Sequence, residues 1–437
     1  MSPHLIELQD HSLSIRAPGE VLAQSPGFAS IAGGTPVYGD QARQIARLHP
    51  RESLNQFWLQ LSMDPLAIKT PHFRHAADIA HGHLQSLTKD IDLANGAVLG
   101  VPSSYTRNQL AVLLGIVRQC SFNAVGLVDL ALLQAAGSDA DECIVLDLQL
   151  HQAVLTRFQR IEGMLIKDKV VQVPAAGMLA LQDAWTNMIT DEFLRQSRFD
   201  PKHNAETEQY LYNQLEGWIE SCRTNNELQV ELNHKGTVYQ ARLAYEHFID
   251  RSKHVYARIV KELEQLKARE TALHTRTSLL QLPGFTLSVP GLIALDEDIT
   301  VASCMQHLDH IRRPADNLQF ITKLPATKSI AVSSAVRLPT RLPTHALIDH
   351  KAISLPAGKI AFGKPDPGVE VARVVPLAAG ITDTLILEKQ ARTLLAHTSP
   401  DSAVNCNGVP VKNGQSLQLG DVLSWPNGPV LQLITVE

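Results

Sequence analysis

Val145-Leu146-Asp147-Leu148-Gln149-Leu150-His151-Gln152 decides how this chain is read. Glu142 to Leu148 has the apolar run of a buried strand, and Gln152 to Gln159 follows as its hairpin partner. An aspartate that ends a buried strand just before a hairpin stands where a backbone cradle for phosphate is built. Such a cradle needs glycine, because a Cβ obstructs close approach of backbone to phosphate and disfavours the positive φ of the turn. Here the turn carries Gln149, Leu150 and His151 and has no glycine.

Outward from that hairpin, the first third of the chain alternates strand and helix. Leu5 to Leu8 and Leu13 to Ile15 are short apolar runs joined by Gln9-Asp10-His11-Ser12 as a tight hairpin. Ala97 to Pro102 is a buried strand, Asn108 to Gln119 places Leu110, Leu113, Leu114 and Val117 on one helical face, and Ala124 to Val128 is a further strand. From Asp183 to Arg276 helices dominate. Leu211, Leu215, Trp218, Ile219 and Cys222 keep helical spacing, and so do Tyr245, Phe248, Ile249, Tyr256, Ile259, Leu263 and Leu266; between them Leu228 to Leu243 is a hairpin with a Lys235-Gly236 turn.

Composition shifts at Lys323, where Pro325, Pro339 and Pro343 lie among Ser, Thr, Arg and Ala as in a linker. Beyond it Asn407-Gly408, Asn413-Gly414 and Asn427-Gly428 punctuate short alternating segments, a strong hairpin signal. The expected organisation is an α/β domain over 1–322, a proline-rich linker over 323–343 and a small all-β sandwich over 344–437.

A chain of 437 residues, 44% apolar and 19% charged, is long enough for two or three cores. A formal charge of −5 with both signs mixed argues against a nucleic-acid partner, which needs a basic face to displace counterions. The absence of a long apolar run argues against membrane insertion, and the start Met1-Ser2-Pro3-His4 has no signal core, so the expected location is cytoplasmic. Five widely spaced cysteines without a Cys-x-x-Cys pair point to buried reduced thiols.

The run Gly100-Val101-Pro102-Ser103-Ser104-Tyr105-Thr106-Arg107-Asn108-Gln109, the helix and strand after it, and Val145-Leu146-Asp147 resemble the actin and heat-shock-protein-70 ATPase superfamily, most closely its heat-shock branch. In that branch a strand ends in Val-Pro, an aromatic follows after two residues and a Gln opens the helix. The resemblance spans residues 4 to 322 and takes in Ile6-Glu7-Leu8 as a first phosphate strand, Ser25-Pro26-Gly27-Phe28 with Val37 to Ala42, and Ser278 to Leu292 as an adenosine loop. It implies a two-lobed nucleotide fold in which paired hairpins hold ATP and Mg²⁺.

The sites that the resemblance implies are damaged. The first loop, Asp-x-Gly-Thr in the family, is Glu7-Leu8-Gln9-Asp10; the second, Asp-x-Gly-Gly-Gly-Thr, is Asp147 to Gln152. Only Asp147 keeps the expected type. In the adenosine loop Gly284 survives alone beside Pro283. A vestigial nucleotide site would comprise Glu7, Asp147, Gln149, His151 and Gly284, with Glu7 and Asp147 toward Mg²⁺ and Gln149 or His151 toward phosphate. Phosphoryl transfer depends on positioning and electrostatics, so a lost cradle removes most of what the scaffold supplies.

Thr344 to Lys364 and Val404 to Leu423, with Asn407-Gly408 and Gly420-Asp421, resemble a forkhead-associated domain. That family reads phosphothreonine with an Arg after its first glycine and a Ser-Arg pair. Here Lys364 replaces the Arg, and Leu387 to Arg392 has Glu388 where the serine is expected. The cations left for a partner are Lys364, Lys389 and Arg392, with Asn407 beside the closing loop.

Other clusters have simpler readings. His72, His75, His81 and His83 read as a solvated helix face, because no carboxylate or cysteine completes a metal set. Asp296-Glu297-Asp298 reads as a hydrated loop or helix N-terminus. Ser103-Ser104 has no base nearby in sequence. The sequence therefore points to a non-catalytic pseudo-ATPase scaffold or protein-interaction protein that needs no cofactor. The rivals are an ATP-binding chaperone-like switch with atypical loops and a phosphothreonine reader.

Overall fold

The computed structural model describes residues 2–68, 70–266, 271–314, 317–326, 343–348, 351–355, 358–363, 371–377, 384–389, 394–399, 402–406, 409–417, 421–426 and 428–434. The chain divides into two units, Met1–Val336 and Arg337–Glu437. It is mixed α/β, and no helix among the described residues is long and apolar enough to cross a membrane.

The first unit is built on two six-stranded sheets that repeat one plan. In the first, His4–Glu7, Leu13–Ala17 and Glu20–Ser25 form an antiparallel meander, and Ala97–Val101 and then Ala124–Asp129 join the open side of His4–Glu7 in parallel. In the second, Glu142–Leu148, Gln152–Ile161 and Met164–Pro174 form the meander, and Ala272–Arg276 and Leu292–Leu295 join Glu142–Leu148 in parallel. Antiparallel neighbours need only a short turn, whereas each parallel partner needs a long crossover, and helices supply most of these connections. The two short end strands come from one late segment: Phe320–Ile321 pairs with Ala124–Asp129, and Lys323–Pro325 pairs with Met164–Pro174. Lys323 to Pro325, expected in the linker, thus belongs to the second sheet. Its pairing partners lie some 160 residues earlier in sequence, which composition cannot reveal.

Strand alternation separates the cores. Ile6, Leu13, Ile15, Leu99 and Val101 pack with Ile79 and Leu84 of helix Ala76–Thr88 and with Leu113 and Val117 of helix Arg107–Val117. Leu5 and Val98, one residue out of phase, instead meet Cys143, Val145 and Phe158 of the second sheet, together with helix Leu130–Ala135 and Val301 and Cys304 of helix Ile299–Gln306. The middle core therefore joins the two sheets. Helix starts follow the sequence: Thr106 and Gln109 form a reciprocal capping box, and Asp129 caps Leu130–Ala135 through Ala131 N and Leu132 N.

Three long helices, Met178–Ser197, Ala205–Asn225 and Tyr245–Leu266, surround the hairpin Glu227–His234/Thr237–Ala244. Lys235 and Gly236 both have positive φ, as a two-residue turn between twisted strands requires. The Gln196 amide pairs with both Arg242 N and Arg242 O, so a side chain occupies part of the hairpin's edge.

In the second unit every described element is a strand. Lys351–Ser354, His345–Ile348, Val430–Ile434, Val422–Ser424, Asn405–Cys406 and Val409–Pro410 form one sheet; Arg373–Val375, Gly358–Phe362, Leu385–Lys389, Leu394–Thr398 and Gln415–Leu417 form the other. Alternate residues of both, among them Phe362, Leu385, Leu387, Leu423, Leu431 and Leu433, share one core. Gly414 adopts φ +77 beside Asn413, in keeping with that Asn-Gly turn; Asn407, Gly408 and Asn427 lie outside the described residues.

Candidate functional site

The turn that follows His4–Glu7 lies between two cavities and contributes residues to both. Glu7, Gln9 and His11 line a cavity of about 670 Å³, together with Ser14, Arg16, Asp147, Arg276, Ser278 and Glu297. Leu8 and Asp10 line a much smaller one of about 90 Å³, with Trp58, Tyr105, Gln109, Gln149 and Gln152.

The large cavity holds Glu7 and Asp147, the two carboxylates singled out in sequence, 1% and 8% exposed. Glu7 is fully engaged. Its Oε2 accepts from Arg276 Nη1 at 3.0 Å and from Ser14 at 3.1 Å, and its Oε1 accepts from Thr300. Burial pushes the Glu7 carboxyl up, but Arg276, Thr300 and Arg16 outweigh it and hold the group below the ordinary carboxylate range. Asp147 accepts from Gln134 at 3.1 Å; burial raises its carboxyl against the opposing charge of Arg276. Arg276 closes Ala272–Arg276, the strand beside Asp147, and is itself 7% exposed. A neighbouring pair, Arg16 to Asp298 at 2.8 Å, ties the first hairpin to the N-terminus of helix Ile299–Gln306.

Asp10 forms the second crossing. Its Oδ1 accepts the Leu150 N–H at 2.7 Å, so a carboxylate of the first hairpin sits on the backbone of the second. Burial raises the Asp10 carboxyl to about 6, opposed by that N–H and by the charge of His151. The same burial, with Arg276 nearby, lowers His11 to about 4, so this imidazole is neutral near pH 7.

Glycine serves both hairpins from outside. A Cβ on Gly27 would lie 2.6 Å from Asp10 O, and one on Gly177 would lie 2.4 Å from Gln152 N and 2.5 Å from Gln149 O. Close backbone approach therefore occurs here between protein segments.

The remaining expected site residues are dispersed. Gln149 accepts from Gln152 and faces the small cavity, and His151 Nε2 bonds Asn55 O at 2.9 Å beside a separate polar cavity of about 610 Å³. Leu150 packs with Phe28 and Ala42, and Leu8 lies in the first core, so neither fills the large cavity. Gly284, at φ +72, opens the short helix Phe285–Ser288 against Ile249 and does not line the cleft. Gln149, His151 and Gly284, expected beside Glu7 and Asp147, thus lie away from the large cavity. Arg276, Asp10, Gly27 and Gly177 are the residues that sequence reasoning missed. One signal for Arg276 was available, an arginine that directly ends an otherwise uncharged strand.

A Mg²⁺–nucleotide fits these residues poorly. Glu7 already has a cation in Arg276, the Leu150 amide already has an anion in Asp10, and the backbone approaches at both hairpins are spent on Gly27 and Gly177.

The histidine reading also needs correction. His83 is fully buried, with Tyr38 stacked on it; Trp58 Nε1–H donates to its Nδ1 at 3.0 Å, and Ser25 Oγ lies 2.7 Å from its Nε2. Because indole only donates, His83 Nδ1 accepts and Nε2–H donates to Ser25, so the pair is no Ser-His nucleophile. His83 falls in the stripe Ile79, Ala80, His83, Leu84, Leu87, which is the core face of its helix. Ser103, without a base in sequence, donates to Asp129 at 2.6 Å, and Asp129 is also paired with Lys167. No group of three or more His, Cys, Asp or Glu among the described residues is placed to hold a metal ion. Four cysteines are buried and Cys120 is half-buried, all as free thiols.

In the second unit Lys364, Arg392 and Asn407 lie outside the described residues, and Lys389 Nζ reaches Leu355 O at 3.5 Å. A scan against protein-family models finds no match for this chain, and a search of curated proteins finds none either.

Proposed function

We propose that this chain is a non-catalytic scaffold built on an actin and heat-shock-70-like fold, a pseudo-ATPase whose metal-facing carboxylate and hairpin amide are taken up by its own side chains. The observation that carries the reading is the Glu7–Arg276 pair, a buried guanidinium seated on the carboxylate that the resemblance assigns to the metal. The repeated sheet plan, with Glu7 and Asp147 near the ends of corresponding strands beside one cavity, supports the fold assignment. The Asp10–Leu150 contact supports the loss of nucleotide, since a phosphate would have to displace a carboxylate from that amide. In this reading the second unit, a forkhead-associated-like β-sandwich, engages a protein partner.

The test is phosphate release by the purified full-length chain at millimolar ATP with Mg²⁺. The expected result is a rate equal to that of buffer. Turnover that Asp147→Asn abolishes would overturn the proposal.

A further inference from the structure

Glu7 ends one buried strand and Asp147 is the penultimate residue of another, on two different sheets, and both line the same cavity. Two carboxylates withdrawn from water at one site require a cation, because an uncompensated buried charge is strongly unfavourable. Arg276 supplies it at Glu7, where its Nη1 lies 3.0 Å from Oε2, and the same nitrogen is 3.8 Å from Glu297. At Asp147 its charge opposes burial without outweighing it. His274 is the partner of Val145, so Arg276 and Asp147, each two residues further on, stand on neighbouring strands on one face. Arg16, the other arginine close to Glu7, is engaged by Asp298.

The guanidinium is poorly used as a hydrogen-bond donor. Its Nε and Nη2 are buried and have no hydrogen-bond partner among the described residues, although the fork they form would suit a bidentate acceptor. Burying two unpaired donor nitrogens is costly. What the position gains in return is a fixed positive charge between two acids.

We infer that Arg276 is a built-in counter-ion in the place of a divalent cation, and that without its guanidinium Glu7 and Asp147 form a site for a hard divalent metal ion. Hard cations take carboxylate and neutral oxygen ligands, and Gln9 and Ser14 line the cavity beside the two acids. The inference rests on the pseudo-ATPase reading proposed above, and extends it by naming the residue that makes the chain independent of metal.

The test uses Mn²⁺ as the probe on the full-length chain, with unbound Mn²⁺ read by electron paramagnetic resonance and the melting temperature followed in parallel. Wild type is expected to show no Mn²⁺-dependent shift. Arg276→Gln is expected to bind one Mn²⁺ at least about tenfold more tightly than wild type and to melt higher with it. Adding Glu7→Gln to Arg276→Gln should cancel both effects, and Arg276→Lys, which keeps the charge, should exclude Mn²⁺ as wild type does. Equal Mn²⁺ binding by wild type and Arg276→Gln would overturn the inference, as would a folded Arg276→Gln that binds none. If Arg276→Gln is unfolded, recovery of its melting transition on adding Mn²⁺ supports the inference, and failure to recover overturns it. Wild-type ATP turnover would strike the pseudo-ATPase proposal; a metal-blind Arg276→Gln beside an inert wild type would strike only the counter-ion.

Discussion

Arg276 and Glu7 stand 269 positions apart in the chain and 3.0 Å apart in the structure. Each alone is an ordinary strand-end residue, and only the placing of two sheets side by side makes them a pair. Asp10 is the other residue whose neighbours matter more than its type. It is 5% exposed, and its carboxyl, raised to about 6, stands above the roughly 3.9 of an unfolded chain. The neutral acid is therefore favoured by folding. Its contribution to stability is fully present below pH 4 and is lost as pH rises through 6. Asp10→Asn keeps an oxygen to accept the Leu150 N–H and removes the buried charge. Urea unfolding should find this variant more stable than wild type at pH 7.5, by on the order of 1–3 kcal/mol, with no advantage at pH 4. A variant less stable at pH 7.5 would show that the charge itself holds the hairpins together.

At the scale of elements, much of what matters was legible. Both hairpins, the strands that carry Glu7 and Asp147 and the turn at Lys235-Gly236 follow from apolar alternation and turn chemistry. Glu7, Gln9 and His11 share one cavity while Leu8 and Asp10 face another, a division made by the turn after the strand. The core face of helix Ala76–Thr88 was equally readable, since His83 stands four residues after Ile79 in its apolar stripe. The supports of the hairpins were not legible, because Gly27 and Gly177 belong to other segments and no local pattern marks what they touch. Gly177 has φ −96, so a side chain is allowed there on conformational grounds and only the contact forbids it. Gly177→Ala should thus cost about 1–3 kcal/mol by overpacking, measured as a lowered urea midpoint. An unchanged midpoint would mean that the second hairpin yields freely, contrary to the tight backbone packing of Gly177 against it.

For the whole molecule, the repeated sheet plan sets what the cleft can do. Two sheets of one design share the middle core, and the first hairpin touches the second where Asp10 accepts the Leu150 N–H. Beside that core, Arg276 on Glu7, Arg16 on Asp298 and Asp10 on the Leu150 amide add polar contacts between distant segments. Long-range placements of this kind leave no trace in a single sequence, and for that reason the glycine-poor turns were visible there while the partners of Glu7 and of the Leu150 amide were not. Calorimetric titration of the wild-type 437-residue chain with ATP and Mg²⁺ decides whether nucleotide enters the cleft. No saturable heat is expected at millimolar nucleotide. A saturable heat that disappears in Asp147→Ala would contradict the pseudo-ATPase reading, because nucleotide would then bind despite Arg276 on Glu7 and Asp10 on the Leu150 amide.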